Sequence, residues 1–308
     1  MKKEQKKISV VVPVYNGEKT ISELFQRIKQ SLEASGNPFQ VVFVEDCGKD
    51  QSWEVIKQLK VKFPEEITAV KLNKNFGQHN ATICGYKYST GDLIVTIDDD
   101  LQIFPEDIPL LIQKQLETGA ELVYGSYGEK NHAAFRNVGS FVVNKTLNIA
   151  FGTKGSITSF RLITKNLRDN LIKHTQSFVF LDGLFNWHTT HVEKVIVRHQ
   201  SRSEGKSGYN LIKLIKLSSN MLFNFTTLPL KSLIYLGLLF SVLSFFIGFY
   251  FILRKIILDV PVGFTSIIVS IFFMGGITLL VLGVIGEYIG RLYALQNEKP
   301  QHSIKELL

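Results

Sequence analysis

Two stretches near the end of the chain contain no charged residue: 22 residues at 232–253 and 25 residues at 262–286. A helix rises about 1.5 Å per residue, so each stretch is long enough to cross the roughly 30 Å hydrocarbon core of a bilayer. A buried core helix of a soluble protein rarely stays uncharged over such a length. The sequence therefore predicts a C-terminal hairpin of two transmembrane helices.

The charges around these stretches predict their orientation. Three cations precede the first span, two lie between the spans and three follow the second, namely Lys213, Lys216, Lys231, Arg254, Lys255, Arg291, Lys299 and Lys305. This distribution favours a hairpin with both ends in the cytoplasm. The basic N-terminus is followed by a short apolar run at 8–14, too short for a secretory signal. We therefore expect a multi-pass protein of the plasma (inner) membrane with its N-terminal part in the cytoplasm.

Composition excludes several other classes of protein. Two cysteines, Cys47 and Cys84, cannot form a disulfide framework and lack the spacing of a metal site, which fits a reducing cytoplasm. The net charge of +8 could indicate nucleic-acid binding, but no basic block with interleaved aromatic residues is present. A basic surface that faces anionic membrane lipid is the better interpretation, and we expect no nucleic-acid partner.

The first 125 residues alternate between strand and helix patterns. The strands are predicted at 8–14, 40–44, 67–72, 93–97 and 121–124, and the helices from a Thr20–Glu23 capping box to Gly36 and at 52–63, 80–89 and 105–117. This order is typical of an α/β fold with a mostly parallel sheet and helices on both faces. Ligands of such sheets bind beyond the carboxyl ends of the strands.

Three carboxylates, Asp98, Asp99 and Asp100, follow directly after the fourth predicted strand. If the extended geometry continues, Asp98 and Asp100 point the same way and Asp99 turns aside. Such an oxygen-rich loop suits Mg²⁺ or Mn²⁺ bridging the phosphates of a nucleotide. The alternative is a turn or helix N-cap cluster, since Pro105 opens a helical segment just afterwards.

The segment between the sheet pattern and the spans is less regular. Its histidines have no metal-ligand spacing, and we interpret them as surface or core residues. At 210–225, however, the polar residues Lys213, Lys216, Asn220 and Asn224 form a narrow stripe at helical spacing. This pattern predicts an amphipathic helix in the bilayer interface, the alternative being a helix packed on the domain core.

Seven short motifs together resemble a known family. They are VPVYN at 12–16, Glu45-Asp46, NFGQHNA at 75–81, DDDLQ at 98–102, SFRL at 159–162, RSEGKSGY at 202–209 and GEYIGR at 286–291. In this order, with two terminal spans, the chain resembles the family 2 glycosyltransferases that load a sugar onto a polyprenyl phosphate. That group includes dolichyl-phosphate mannose synthase and the undecaprenyl-phosphate glucose and 4-deoxy-4-formamido-L-arabinose transferases.

The resemblance implies a domain organisation and an activity. The expected fold is α/β, a Rossmann-like GT-A nucleotide-sugar domain with a C-terminal two-helix transmembrane hairpin. We expect a cytoplasmic catalytic domain at 1–209, an interfacial helix at 210–229, two transmembrane helices at 230–290 and a cytoplasmic tail at 291–308. The implied reaction is an inverting transfer from a nucleoside-diphosphate sugar to undecaprenyl phosphate, with Mg²⁺ or Mn²⁺, which supplies lipid-linked sugar for cell-envelope glycan or lipid modification.

The resemblance also implies roles for individual residues. Pro13, Tyr15, Val44 and Asp46 match positions that hold the nucleoside, and the wider donor-binding set adds Asn16, Glu18, Asp99, Arg136 and Lys206. Asp98, Asp100 and Gln102 match the metal and diphosphate site, and Arg202 matches an arginine that meets a donor or acceptor phosphate. Asp98, Asp100 and Arg202 are therefore the expected catalytic residues.

The chain departs from the family pattern at several positions. Gly17 stands where the family has Glu, with Glu18 next to it as a substitute, and Asp99 stands where Ala is usual. Glu45 and Cys47 replace an Asp and a Gly, Tyr127 lies where a phosphate-binding Arg is expected, and Gly208 takes a usual Lys position. These departures leave Arg136, Arg202 and Lys206 as the predicted phosphate-binding cations.

The acceptor chemistry bears on the need for a general base. A phosphate monoester has its second pKa near 6, so it is already a dianionic nucleophile near neutral pH. No strong base is required, and Asp182 is the one candidate considered.

Two other functions compete with this interpretation. One is a glycosyltransferase that extends another lipid-linked or exported glycan, and the other is a catalytically silent membrane scaffold. Processive polymer synthases of related fold usually carry more spans and a QxxRW motif, which this sequence lacks. The Asp98, Asp100 and Gln102 set argues against the scaffold. The GxxxG pattern of Gly286 and Gly290 suggests helix contact within a homo-oligomer.

Overall fold

A computed structural model describes residues 5–127, 158–176, 179–198, 200, 228–258, 263–296 and 300–308. The chain divides into two compact units. The first comprises Met1–Phe135, Thr153–Gly208 and Glu298–Leu308, and the second comprises Arg136–Gly152 and Tyr209–Asn297. The predicted site residues Arg136, Arg202 and Lys206, and most of the predicted interfacial helix, lie outside the described residues.

The first unit alternates strands and helices along the chain. Its strands are β1 Ile8–Val14, β2 Phe39–Glu45, β3 Ile67–Leu72, β4 Leu93–Thr96, β5 Leu122–Tyr127, β6 Arg161–Thr164, β7 Val192–Val197 and β8 Ile304–Leu307. Its helices are α1 Ile21–Ala34, α2 Ser52–Lys62, α3 Gln78–Tyr88, α4 Ile108–Thr118, α5 Lys165–Leu171 and α6 Leu181–His188. A short 3₁₀ turn, Pro105–Asp107, precedes α4.

The described strands form one sheet in the order β7-β5-β6-β4-β1-β2-β3-β8. β1 pairs in parallel with β2 and β4, β2 with β3, and β5 with β7. β6 runs antiparallel between β4 and β5, and β8 runs antiparallel along β3. The predicted α/β fold with a mostly parallel sheet is confirmed. The insertion of β6 and the addition of β8 are features that the sequence analysis did not predict.

Helices cover both faces of the sheet. Along β1, Val10 and Val12 pack into the cluster that contains residues of α1, α2 and α4, whereas Val11 packs into the cluster on the α3 side. This alternation follows from the period of two in a strand, and every residue of β1 is buried. A continuous apolar run is what a strand covered on both faces requires.

The start of α1 differs from the prediction. Thr20 occupies the N-cap, but its side chain accepts no capping hydrogen bond. Its Oγ1 instead donates to the carbonyl of Gly17 at 3.1 Å. The predicted capping box is therefore wrong, because the turn that leads from β1 into the helix offers the hydroxyl a nearer acceptor.

The second unit contains two long helices, α7 Leu228–Leu258 and α8 Phe264–Gln296. The rings of Phe240 and Phe273 contact each other edge-on, with centroids 5.7 Å apart. Within the described residues, one segment, Phe273–Gly290 of α8, is long and apolar enough to cross a membrane, and none of it is buried within the protein. The two-span hairpin stays a prediction.

Candidate active site

A cavity of about 290 Å³ lies at the carboxyl ends of β1 to β4. It is lined by Pro13, Val14, Tyr15, Asp46, Asn75, Gly77, Gln78, Ala81, Asp98, Asp99 and Asp100. Four segments that are distant in sequence therefore contribute to one site, because parallel strands bring their carboxyl ends to the same edge of the sheet.

Asp98 is held by two side chains within the cavity wall. Gln78 Nε2 donates to Asp98 Oδ1 at 2.6 Å, and Ser159 Oγ donates to Oδ2 at 2.5 Å. Burial raises the pKa of Asp98, and the charge of Asp100 raises it further. Burial disfavours the ionised form of this carboxyl group, and a bound cation would favour it. Neither Gln78 nor Ser159 was assigned a role from the sequence, although both lie in family-like motifs.

Asp99 lines the same cavity as its two neighbours. Its Oδ2 accepts a hydrogen bond from the backbone N–H of Tyr15 at 3.0 Å, and burial raises the pKa of Asp99 to about 6. The expectation that Asp99 turns away is wrong, because β4 already ends at Thr96 and the strand alternation does not reach residue 99.

The chain turns sharply after the acidic block. Leu101 has a φ of 57°, in the left-handed region, and the backbone N–H of Gln102 donates to Asp100 Oδ1 at 3.2 Å. This turn separates Gln102 from the residues that line the cavity. The backbone carbonyl of Gln102 accepts from the backbone N–H of Gln200 at 2.9 Å. This hydrogen bond connects the segment after β7 to the acidic loop.

The carboxylates that could bind a metal ion form an open site rather than a closed cage. No group of three or more His, Cys, Asp or Glu side chains that could hold a metal ion occurs in the part of the chain that the structure describes. Asp98 and Asp100 nevertheless present carboxylates to one cavity, and oxygen donors are what Mg²⁺ and Mn²⁺ prefer. Such a site fits a cation that takes its remaining ligands from a bound diphosphate and water.

Asp46 organises the opposite wall of the cavity. Its Oδ1 accepts from the backbone N–H of Phe76 at 2.7 Å and its Oδ2 from that of Gly77 at 2.8 Å. Burial raises the pKa of Asp46, while these two N–H groups act in the opposite direction. Gly77 has a φ of 88°, which disfavours other residues at this entry to α3. Asp46 therefore fixes the 73–77 loop as well as facing the cavity.

The remaining predicted nucleoside contacts divide into two groups. Pro13 and Tyr15 line the cavity, and 49% of the Tyr15 side chain is exposed there. Val44, by contrast, is fully buried in the core on the α3 side, and its side chain is remote from solvent. The structure thus places Val44 beneath the site rather than in it.

Asn16 and Glu18 connect two loops. Asn16 Oδ1 accepts from the backbone N–H of Lys49 at 2.8 Å, and Glu18 Oε2 accepts from that of Gln51 at 3.1 Å. Both residues thereby join the loop after β1 to the loop after β2. They shape the rim and are not among the residues that line the cavity.

Asp182, the candidate base, belongs to a buried ion pair. Its Oδ1 accepts from Arg161 at 2.7 Å and from the Tyr124 hydroxyl at 2.8 Å. Arg161 and Asp182 are respectively 3% and 8% exposed. A carboxylate committed to a guanidinium in the core is suited to structure rather than to proton transfer.

Tyr127 takes the place of an expected phosphate-binding arginine. Burial, together with the charges of Asp98 and Asp100, raises the pKa of Tyr127 to about 12. Its hydroxyl therefore stays protonated near neutral pH and remains a neutral hydrogen-bond donor beside the carboxylates.

The comparisons with known proteins agree with this geometry. Residues 9–171 match the family described as Glycosyl transferase family 2. The undecaprenyl-phosphate 4-deoxy-4-formamido-L-arabinose transferase of Shewanella sediminis (strain HAW-EB3) is 30% identical over 98% of this chain and 92% of its own length. The transferase of the same name from Pseudomonas aeruginosa (strain LESB58) is 28% identical over 98% of this chain and 90% of its own.

A solved structure shares the fold over much of this chain. Glucosyl-3-phosphoglycerate synthase from Mycobacterium tuberculosis, in complex with uridine diphosphate, aligns with a TM-score of 0.51 and 17% identity. The alignment covers 71% of this chain and 78% of that one. A second structure of that enzyme, with Mn²⁺, uridine diphosphate and phosphoglyceric acid, aligns with a TM-score of 0.50 over 71% and 76% of the two chains.

Proposed function

The chain belongs to glycosyl transferase family 2, and we propose that it transfers a sugar from a nucleoside-diphosphate sugar to undecaprenyl phosphate at the cytoplasmic face of the membrane. The observation that carries this proposal is the similarity to undecaprenyl-phosphate sugar transferases over 98% of the chain. That similarity extends through the two long helices, whereas the family match itself ends at residue 171. Exposed apolar helices suit a glycosyltransferase whose acceptor carries a long prenyl tail.

The cavity supports a donor with a diphosphate. Asp98 and Asp100 are the residues that would hold Mg²⁺ or Mn²⁺, with Gln102 as a further proposed ligand. A bound cation would neutralise charge that develops on the leaving nucleoside diphosphate. Gln78 and Ser159 hold the Asp98 carboxylate in one orientation, so little reorganisation is needed when the donor binds.

We assign the nucleoside end of the donor to the cavity wall opposite Asp98 and Asp100. Tyr15 offers an exposed ring, and Asp46 lies beside the Asn75–Gly77 backbone in the same cavity. Both are on loops that rigid strands position. We assign these residues to the base and ribose, with Pro13 behind them.

The acceptor supplies its own nucleophile in this mechanism. A phosphate monoester dianion attacks the anomeric carbon directly, which inverts the configuration, and the nucleoside diphosphate leaves. The ion pair of Asp182 with Arg161 is consistent with a reaction that needs no carboxylate base.

We assign Arg202 and Lys206 as the cations that bind the acceptor phosphate, and Arg136 as a further phosphate-binding cation. Arg202 follows Gln200 by two residues in the chain, and Gln200 is hydrogen-bonded to Gln102 in the acidic loop. Arg198, two residues before Gln200, is anchored to Asp107 at 2.6 Å. These two attachments support the assignment of the following segment to the phosphate-handling side of the site.

Strand β8 supports the membrane topology of the proposal. It follows both long helices in the chain, yet it pairs with β3 in the sheet that begins the chain. The two ends of the helical segment must therefore lie on the same side of any membrane that the helices cross, which requires an even number of crossings. Two transmembrane helices satisfy this condition.

An assay with purified protein tests the function. The protein in detergent is supplied with undecaprenyl phosphate, Mg²⁺ or Mn²⁺ and a panel of UDP- and GDP-sugars, and the lipid-linked sugar is measured by mass spectrometry. One donor should yield a glycosyl undecaprenyl phosphate, and undecaprenol without its phosphate should yield none. Transfer to a lipid-linked or free glycan, with undecaprenyl phosphate ignored, would replace the proposal with the glycan-extending activity.

A further inference from the structure

The last residues of the chain form an edge strand of the catalytic sheet. Strand β8 pairs antiparallel with β3, with Lys71 opposite Glu306 and Val70 opposite Leu307. Leu308 and Ala69 exchange two backbone hydrogen bonds of 2.9 Å. The C-terminal segment is thus built into the sheet and is not a free tail.

The beginning of this segment contacts the loop that follows β3. Asn73 donates through its backbone N–H to the carbonyl of Ser303 at 2.8 Å. Its side-chain Nδ2 donates to Ser303 Oγ at 2.6 Å and to the carbonyl of Ile304 at 3.2 Å. Three hydrogen bonds therefore hold Asn73 against two residues of the C-terminal segment.

The loop that begins at Asn73 is a wall of the cavity. Asn75 and Gly77 line it, and the N–H groups of Phe76 and Gly77 bind the two oxygens of Asp46. The carbonyl of Asn73 also accepts from Cys47 Sγ at 3.8 Å, one residue from Asp46. A continuous path of contacts therefore leads from Ser303 through Asn73 to Asp46.

We propose that the C-terminal segment 300–308 is a positioning element of the donor site. Ser303 and Ile304 hold Asn73 in place, and Asn73 fixes the loop conformation in which the Phe76 and Gly77 amides bind Asp46. The proposal rests on the proposed function for the identity of the ligand, a nucleoside diphosphate. Because 300–308 follow both long helices in the chain, the donor site is completed only after the helices have been synthesised.

A simpler role for β8 would be to cover the edge of β3. A contact near the C-terminal end of β8 serves only to hold the strand on the sheet, since Trp53 Nε1 donates to Glu306 Oε2 at 3.1 Å. Trp53 lies on α2 rather than on the 73–77 loop. Changes at Glu306 and at Ser303 therefore separate general support of the sheet from support of the cavity wall.

The test uses the full chain in detergent with Ser303→Ala, Asn73→Ala, the double variant and Glu306→Ala as the matched control. Binding of UDP and GDP with Mg²⁺ is measured by calorimetry, and hydrogen–deuterium exchange follows the amides at 73–77. Ser303→Ala and Asn73→Ala should each weaken nucleotide binding about threefold to tenfold and accelerate exchange at Phe76 and Gly77, as expected for loss of one or two hydrogen bonds. The double variant should bind no more weakly than the weaker single variant, because both changes remove the same contact.

The Glu306→Ala control distinguishes general support of the sheet from support of the cavity wall. Glu306→Ala should lower Tm but leave nucleotide affinity and the exchange of 73–77 unchanged. Equal affinity and equal loop exchange in wild type and Ser303→Ala would overturn the positioning role. If the wild-type protein binds no nucleoside diphosphate, the proposed donor fails, whereas the exchange measurement still decides whether β8 orders the loop.

Discussion

Gly17 and Asp99 lie so close that a Cβ on Gly17 would stand 2.6 Å from Asp99 Oδ2. A side chain at position 17 would therefore compete for space with the carboxylate of Asp99. With the Asp99 carboxylate in this position, only glycine fits at position 17 unless that carboxylate moves. Conversely, alanine at 99 would remove the contact with the carboxylate and leave Val14 Cγ1, 3.3 Å from the added Cβ, as a close neighbour.

This relationship predicts a non-additive pair of substitutions. Gly17→Ala should destabilise the protein by about 1–3 kcal/mol, because Asp99 must move and lose its bond from the Tyr15 N–H. Asp99→Ala alone should leave the transfer activity intact, although it also removes the acceptor of the Tyr15 N–H. In the Asp99→Ala background Gly17→Ala should cost clearly less, as measured by thermal unfolding, although Val14 Cγ1 still lies 3.3 Å from the added Cβ. Additive effects would contradict the steric account.

The acidic loop provides the second prediction. Asp100→Asn should abolish transfer and Asp98→Asn should reduce it at least about 100-fold, because each removes a charge that stabilises the leaving group through the cation. EDTA should stop the reaction, and Mg²⁺ or Mn²⁺ should restore it. Asp92→Asn, at an exposed residue that binds the Lys7 N–H, is the control. Full activity in EDTA would remove the metal from the mechanism.

His79 predicts a dependence of stability on pH. Burial lowers the pKa of His79 from 6.5 to about 4, with Asp182 opposing and Arg161 reinforcing the shift, and its Nδ1 is buried with no hydrogen-bond partner among the described residues. Its ring lies edge-on to Phe180, 5.5 Å between centroids. Between pH 4 and 6.5 the folded protein therefore binds fewer protons here than the unfolded chain does, and stability falls as the pH is lowered.

The stability that depends on a neutral His79 is fully present above about pH 6.5. At most about 3 kcal/mol of the free energy of unfolding is lost as the pH falls towards 4. Replacing the imidazole by a neutral amide in His79→Gln should make the decrease in Tm between pH 7 and 4.5 smaller than in the wild type. The same change at the exposed His188 should leave the decrease unaltered. Parallel pH profiles for wild type and His79→Gln would show that His79 does not titrate as argued.

The buried ion pair predicts a structural role for Asp182. Asp182→Asn leaves the Arg161 guanidinium buried without its counter-ion and should cost about 3–5 kcal/mol in the free energy of unfolding. Glu54→Gln, which removes the partner of Lys57 in a pair whose side chains are 53% and 37% exposed, should cost much less. A stable Asp182→Asn protein with greatly reduced kcat would instead identify Asp182 as a base.

The topology prediction follows from β8. In a Cys47→Ser background, a cysteine placed by Lys305→Cys should react with a membrane-impermeant reagent only after cells are permeabilised, whereas Asp259→Cys, between the long helices, should react in intact cells. The reason is that β8 belongs to the same sheet as β1 to β4. Labelling of position 305 from outside intact cells would rule out a cytoplasmic position of β8 and of the sheet to which it belongs.

Local sequence patterns determined much of the first unit. The bounds of β1 and β3 agree with prediction because both strands are rich in buried, often β-branched residues, and β4 delivers the acidic block to the edge where the cavity lies. Composition and charge were also enough to single out the long apolar helices. These features depend on periodicities within about 20 residues, which a single sequence displays directly.

The tertiary structure decided the contacts between distant segments. No local pattern shows that Ser303 meets Asn73, that Ser159 and Gln78 hold Asp98, or that Val44 lies in the core rather than in the cavity. The position of β6 between β4 and β5 likewise depends on which strand edges are free after the sheet has formed. Such pairings are selected by the packing of the whole unit. The sequence therefore indicated part of the cavity lining, such as Asp46 and Asp98 to Asp100, whereas the fold decided what holds these residues in place.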